Sequence, residues 1–195
     1  DLTDPLTETH QEGVDVYNAV YDVGHWNVEG ALVGARAIIS YLQEQGFDVE
    51  QPDIENDYDV VPEHHDYLPA SVLYCPIDTY KYIHKDNGKG AVDVTEDYDS
   101  LDLDEHYNTY SLWENDSCAN GLNLLMFQGS YFNTQGTILY NQFTRTECIH
   151  AYMNIFNMDE YYQMFNPDIV IFESADYVLT DAYYSYGGLT DTVLN

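Results

Sequence analysis

Apolar residues follow two rhythms along this chain. Ala31, Ala35, Ile38, Ile39 and Leu42 recur at spacings of three and four, which predicts a helix with one buried face. Asn27 stands where an N-cap belongs and Gly46 where such a helix ends. The second rhythm is the short apolar run. Leu122 to Phe127, Cys148 to Phe156 and Ile169 to Phe172 predict strands buried on both faces. Tyr131 to Phe143 and Met158 to Phe165 lie between them and read as helices. Strands alternating with helices predict an α/β fold with a parallel sheet and right-handed crossovers.

The remaining segments are less regular. Val14 to Trp26, rich in Val, Tyr and Trp, predicts extended structure. Residues 47 to 70 are acidic and punctuated by proline, and they read as a surface connection. Ser71 to Pro76 predicts a strand, and Thr79 to His84 a second one. From Asn87 to Glu105, Gly gives way to Asp93, Glu96, Asp97, Asp99, Asp102, Asp104 and Glu105. Such a run is expected to be a solvated loop, and it lacks the DxDxDG register of a calcium loop. No internal repeat is present.

A chain of 195 residues with 45% apolar content can bury one substantial core, so one domain is expected. Its charge is extreme: 35 acidic side chains against 5 basic ones give a formal −30. That field repels phosphate backbones and anionic headgroups, which sets aside nucleic acids and membrane surfaces as partners. Twenty Tyr, many Asp and Asn and few Lys suit an extracellular protein of a polysaccharide-rich setting or a salt-adapted protein. Cys75, Cys118 and Cys148 form no CxxC pair and no Cys/His metal spacing, which leaves one disulfide with a thiol, or three thiols. No run approaches the roughly 18 apolar residues of a membrane span. The chain opens on Asp1 without a charged-then-apolar leader, as expected of a processed or excised chain.

Candidate chemistry lies where strands end. In a parallel α/β sheet, reactive groups gather at the carboxyl ends of strands, where loop and helix amides are presented. Ser130 follows Leu124-Leu125-Met126-Phe127-Gln128-Gly129 and precedes the predicted helix. A hydroxyl there can be approached over Gly129, with nearby N–H groups and the helix dipole facing a developing oxyanion. A serine nucleophile needs a base, and the base needs an orienting acceptor. Tyr21-Asp22-Val23-Gly24-His25-Trp26-Asn27 supplies both in one segment, with His25 as base and Asp22 as its acid.

These residues carry a family resemblance. The chain resembles the SGNH-hydrolase-like proteins of the AlgX/AlgJ and DHHW type, which are associated with O-acetylation of exopolysaccharides and cell-surface glycans. His25-Trp26-Asn27 with Gly30-Ala31 looks like the family's Asp-x-His-Trp motif and the helix after it. Leu124 to Ser130, with Tyr131 and Asn133, looks like the strand that ends in Asp-Ser-Tyr or Asp-Ser-Phe. Pro167-Asp168-Ile169-Val170-Ile171-Phe172-Glu173 looks like the closing Pro-Asp-x-Val strand. Tyr107 to Trp113 resembles the aromatic segment before the nucleophile strand. Two positions depart: Val23 stands where the family acid falls, one residue after Asp22, and Gly129 replaces the Asp before the nucleophile. The chain also shows no counterpart of an upstream strand that family members commonly carry.

The resemblance implies one α/β domain over residues 1 to 195, a three-layer sandwich with a mostly parallel central sheet of the SGNH and flavodoxin-like kind. It implies a serine esterase or O-acyltransferase acting on acetyl esters of carbohydrate, with Ser130, His25 and Asp22 catalytic. Gly129, Asn133 and Trp26 are its oxyanion or substrate-binding candidates. No cofactor or metal is called for, the partner is an acylated glycan, and the setting is extracellular or cell-surface.

Other candidates carry less. His64 and His65 lie in the acidic connection and read as surface histidines, His150 as a structural or cleft-lining strand residue, and Glu173 as a strand-end residue that either approaches the site or serves as a cap acceptor. HExxH, P-loop and GxGxxG motifs are missing, and so is the GxSxG of an α/β-hydrolase. Two alternatives of other classes stay open: a glycan-binding protein that keeps this fold with a decayed site, and an acidic assembly subunit whose tyrosine-rich surfaces are interfaces.

Overall fold

The computed structural model describes residues 1–22, 24–69, 71–98, 110–150 and 158–176. The chain forms two compact units. The first comprises Asp1–Gly90 with Thr134–Gln142, and the second Ala91–Asn133 with Phe143–Asn195.

The first unit is built on the predicted helix. Helix α1 (Thr3–Gln11) packs through Leu6 beside α2 (Val28–Glu44), which buries Val28, Ala31, Leu32, Ala35, Ile39 and Leu42. Asn27 caps α2 as expected, its side chain accepting from the Gly30 N–H at 2.9 Å. At the other end Phe47 N–H returns to Leu42 O at 3.0 Å, and Gly46 takes a φ of +91°, so the helix stops where the sequence places its stop. The segment before it is not a strand. Among the described residues, Val14 to Trp26 folds back on itself with one bridge, between Tyr17 and Trp26, because Asn18, Asp22 and Gly24 favour turns over a continuous ladder.

Residues 47 to 70 correct the expected surface connection. After a short α3 (Ile54–Asp57), β1 (Tyr58–Tyr67) pairs antiparallel with β2 (Tyr74–His84). The predicted strands at 71–76 and 79–84 thus fall on one strand, which starts only at Tyr74, and its partner lies in the acidic stretch. The register runs from Tyr58 opposite His84 to Tyr67 opposite Tyr74, with an irregularity between His65 and Tyr67. Val61, Glu63 and His65 share the half-buried face while Val60, Pro62 and His64 are exposed, so apolar residues fall on both faces and no two-residue period of hydrophobicity marks the strand. Tyr58 anchors the hairpin: buried, it donates to Thr137 O at 3.3 Å and accepts from Asn141 Nδ2 at 2.6 Å. The predicted helix over Tyr131 to Phe143 is a series of turns with one helical turn, α4 (Thr137–Tyr140). Asn133, Thr134, Gly136 and Thr137 are weak helix formers, and together they outweigh the apolar spacing.

The second unit is a five-stranded sheet in the order β3 (Val92–Asp93), β4 (Tyr110–Glu114), β6 (Arg145–His150), β5 (Asn123–Gln128) and β7 (Ile169–Phe172). Strands β6, β5 and β7 are parallel, whereas β4 runs antiparallel to β6 and β3 to β4. The sheet is therefore mixed, not mostly parallel: β3 and the aromatic strand β4, which the apolar-run pattern did not mark as sheet members, add its antiparallel pairs. Leu124, Leu125, Met126 and Phe127 of β5 are all buried, as an inner parallel strand requires. Helix α5 (Met158–Phe165) lays Tyr161 and Phe165 against Leu112, Leu125, Phe127 and Ile149. Each of these fully buried side chains contributes roughly 2 kcal/mol of transfer free energy. The strand predicted over Cys148 to Phe156 begins earlier, at Arg145, and residues 151–156 lie outside the described ones. So do Asp99, Asp102, Asp104 and Glu105 of the acidic run, while Thr95–Tyr98 form a 3₁₀ turn.

Cys75, Cys118 and Cys148 are all thiols. Among the described residues, no helix is long and apolar enough to cross a membrane.

Candidate functional site

In the first unit, Asp22 and His25 meet. The Asp22 carboxylate accepts from His25 Nδ1 at 2.8 Å, and the His25 N–H donates to Asp22 O at 3.0 Å. This tight turn brings acid and imidazole together across three residues, one more than the family spacing provides. It places Asp22 at φ +54°, a left-handed conformation that Asp tolerates better than most side chains and that stores strain where it occurs. A carboxylate only accepts, so Nδ1 carries the proton and Nε2 is the basic nitrogen of the neutral ring.

Both flanks of this turn are pinned. On one side Trp26 is 7% exposed, and its ring lies so near α2 that a Cβ on Gly34 would come within 2.7 Å of it. A Cβ on Gly30 would come within 2.2 Å of Val16 O and 2.6 Å of Trp26 Cβ. The two glycines let the helix close on the tryptophan, and Asn18 Nδ2 holds Trp26 O at 3.0 Å. Trp26 thus fixes the backbone beside His25. On the other side Tyr21 stacks on His65, with centroids 3.9 Å apart and planes 18° apart. His65 Nε2 contacts Thr79 Oγ1 at 2.7 Å, and exposed His64 pairs with Asp78 at 2.6 Å, which raises its pKa. These neighbouring histidines face different partners, as a strand demands.

The hairpin also meets α2 at Glu29, whose Oε1 accepts from the hydroxyls of Tyr80 and Tyr82 at 2.6 Å each. Burial, reinforced by the carboxylate, pushes both phenols up, which keeps them as donors.

In the second unit, Ser130 follows the end of β5, half-buried. The ladder between β5 and β7 continues one step beyond the strands: Glu173 N–H donates to Phe127 O at 2.9 Å, and Gly129 N–H donates to Glu173 O at 3.0 Å. Gly129 therefore spends its N–H in the sheet. No helix begins at Ser130, so the expected helix dipole is replaced by turn amides. The chain bends so that Asn133 N–H reaches Ser130 O at 3.3 Å. Asn133 is exposed, and its Oδ1 accepts from Gln128 Nε2 at 2.9 Å. Gln128 escaped the sequence reading, where the only signal is a polar residue closing an apolar strand. It pairs in register with His150 on β6, and Glu173 stands at the end of β7.

Thus Asp22 and His25 are joined in the first unit, and Ser130, Gly129 and Asn133 share one turn in the second. Val23 lies outside the described residues. Among the described residues, no three His, Cys, Asp or Glu side chains converge so as to hold a metal ion.

By sequence, the chain matches no protein-family model and no curated protein. Solved structures do resemble it. Bacillus cereus PatB1 aligns with a TM-score of 0.62 at 18% identity, over 90% of this chain and 69% of that one. PatB1 with a sulfonyl adduct aligns with a TM-score of 0.63 at 18% identity, over 90% and 66%. A DHHW family protein from Eubacterium siraeum DSM 15702 aligns with a TM-score of 0.59 at 17% identity, over 88% and 62%. The chain has the α/β fold of these proteins. It spans about two thirds of their length.

Proposed function

We propose that this chain is a serine esterase or O-acyltransferase acting on acyl esters of carbohydrate, with acetyl the expected group. The observation that carries the reading is the Asp22–His25 hydrogen bond of 2.8 Å, which sets the tautomer a general base requires. In this mechanism His25 Nε2 takes the proton of Ser130 Oγ as that oxygen attacks the ester carbonyl. Asp22 orients the ring and stabilises its charged form. Amides of the Ser130 turn, with the Asn133 side chain, hold the oxyanion. The tetrahedral species collapses to an acyl-serine and expels the sugar alkoxide, which takes the proton from His25. Water then completes hydrolysis, or a sugar hydroxyl completes transfer.

The reading includes one SGNH-like three-layer domain over residues 1 to 195, a carbohydrate substrate, and an extracellular or cell-surface setting. The likeness to PatB1 and to the DHHW family protein supports it. The test is turnover of an acetyl ester together with labelling by a serine-directed sulfonyl fluoride. Wild type should react in both, and Ser130→Ala and His25→Ala in neither; equal behaviour of wild type and Ser130→Ala removes the catalytic reading.

One observation favours a second reading, glycan binding without catalysis. Tyr67 and Tyr74 are 55% and 63% exposed and pack edge to face, and exposed rings are what sugar faces stack on. Retained glycan binding by a Ser130→Ala protein, with no turnover by wild type, is the result that selects it.

A further inference from the structure

An oxyanion needs a donor, yet a surface asparagine presents its NH2 or its carbonyl oxygen with little to choose between them. Asn133 is exposed and lies three residues after Ser130, so its value to the proposed reaction depends on which end faces the substrate. Gln128 decides this. It is the last residue of β5, 7% exposed, and so is held by the sheet on a rigid strand. Its Nε2 donates to Asn133 Oδ1 at 2.9 Å across the turn that Asn133 N–H closes on Ser130 O. With Oδ1 committed to Gln128, the planar carboxamide directs its NH2 away from the strand.

We propose that Gln128 is a positioning residue that fixes the Asn133 carboxamide with its NH2 outward, as a donor to the oxyanion of the Ser130 adduct. This inference rests on the esterase or acyltransferase reading. It assigns Gln128 no contact with substrate. Its contribution is to remove the alternative in which a carbonyl oxygen faces a developing negative charge, which is the preorganisation on which such sites depend.

The experiment is a double-mutant cycle on the full chain, read as kcat and KM for an acetyl ester and as the rate of Ser130 labelling by a sulfonyl fluoride. Gln128→Glu keeps size and shape and, assayed at a pH high enough to hold it ionised, accepts only, so it draws the Asn133 NH2 inward and turns the oxygen out. It should lower kcat by roughly 10²–10³-fold, the loss typical of one oxyanion donor, with KM little changed. In an Asn133→Ala background the same substitution should cost nothing further. Gln128→Met, which fills the space without ionising, guards against a misfolded Glu variant and should give a smaller drop that also vanishes in that background. Full additivity of Gln128 and Asn133 substitutions in an active protein overturns the positioning role alone. A wild type that neither turns over ester nor labels at Ser130 overturns the catalytic reading and this inference with it.

Discussion

Glu147 gives the sharpest test of how the second unit is stabilised. The residue is 0% exposed and sits in β6 with Leu112 of β4 and Leu125 of β5 as its register partners. Arg145 Nε lies 2.7 Å from its Oε1, but neither this contact nor anything around Oε2 is aligned as a hydrogen bond. Arg145 also spreads over the rings of Tyr98 and Phe165, at 5.5 and 6.0 Å. Burial wins over the guanidinium, and the carboxyl is pushed from 4.5 up to about 7. Between those values the folded state holds a proton that the unfolded chain has released. The stabilisation is therefore complete below pH 4.5 and is lost as pH rises through about 7. A displacement of this size is worth ~3 kcal/mol in all, of which ~2–3 kcal/mol disappears between roughly pH 5 and 8.

Glu147→Gln keeps the shape and abolishes the titration. Arg145 remains half-buried on its two rings with access to water, so it is not stranded. Urea denaturation at about pH 5, 6, 7 and 8 should show the variant gaining on wild type by ~2–3 kcal/mol over the series, with m unchanged. The other acidic groups are common to both proteins and cancel in the difference. A constant offset across the series, or a wild type that gains on the variant at high pH, would refute the claim that burial outweighs the ion pair.

Other substitutions probe the first unit. Gly30→Ala forces a Cβ to within 2.2 Å of the Val16 carbonyl oxygen, a backbone atom that cannot swing away, and should cost ~1–3 kcal/mol in thermal or urea unfolding. Asn27→Ala removes the side chain that accepts from Gly30 N–H and should cost ~1 kcal/mol, with helical circular dichroism retained. Asp22→Asn keeps the turn but can donate to His25 Nδ1 and so favour the wrong tautomer; kcat on an acetyl ester should fall by roughly 10²–10⁴-fold with folding intact. Unchanged kcat in that variant would separate Asp22 from the chemistry.

Much of the fold was legible along the chain because its signals are local. The spacing of Ala31, Ala35, Ile39 and Leu42, with Asn27 before and Gly46 after, defines α2 without reference to anything distant. The apolar run of β5 likewise reports burial on both faces, whereas β7, the edge strand, buries only Ile169 and leaves Phe172 exposed, because a run of apolar letters does not say how many neighbours a strand will have. Elements without a hydrophobic period escaped: β1 places Val60 and Val61, and His64 and His65, on opposite faces, and its strand character comes from pairing with β2. The helix expected after Ser130 failed because its apolar spacing was set against Asn, Thr and Gly, and tertiary packing resolved that conflict into turns.

The candidate site divides in the same way. Residue types and their order pointed by themselves to a serine at a strand end and, in a separate segment, to a histidine with an acid beside it, since that chemistry needs only those groups. The reach of Asp22 to His25 across an unfamiliar spacing was settled by a turn with a positive φ, and the Gly129 N–H was claimed by Glu173 from a strand some forty residues away. Gln128 found Asn133 for the same reason. Hydrogen-bond partners are assigned by distance in space, and a linear pattern records burial and local propensity but carries no account of which backbone groups another strand will take.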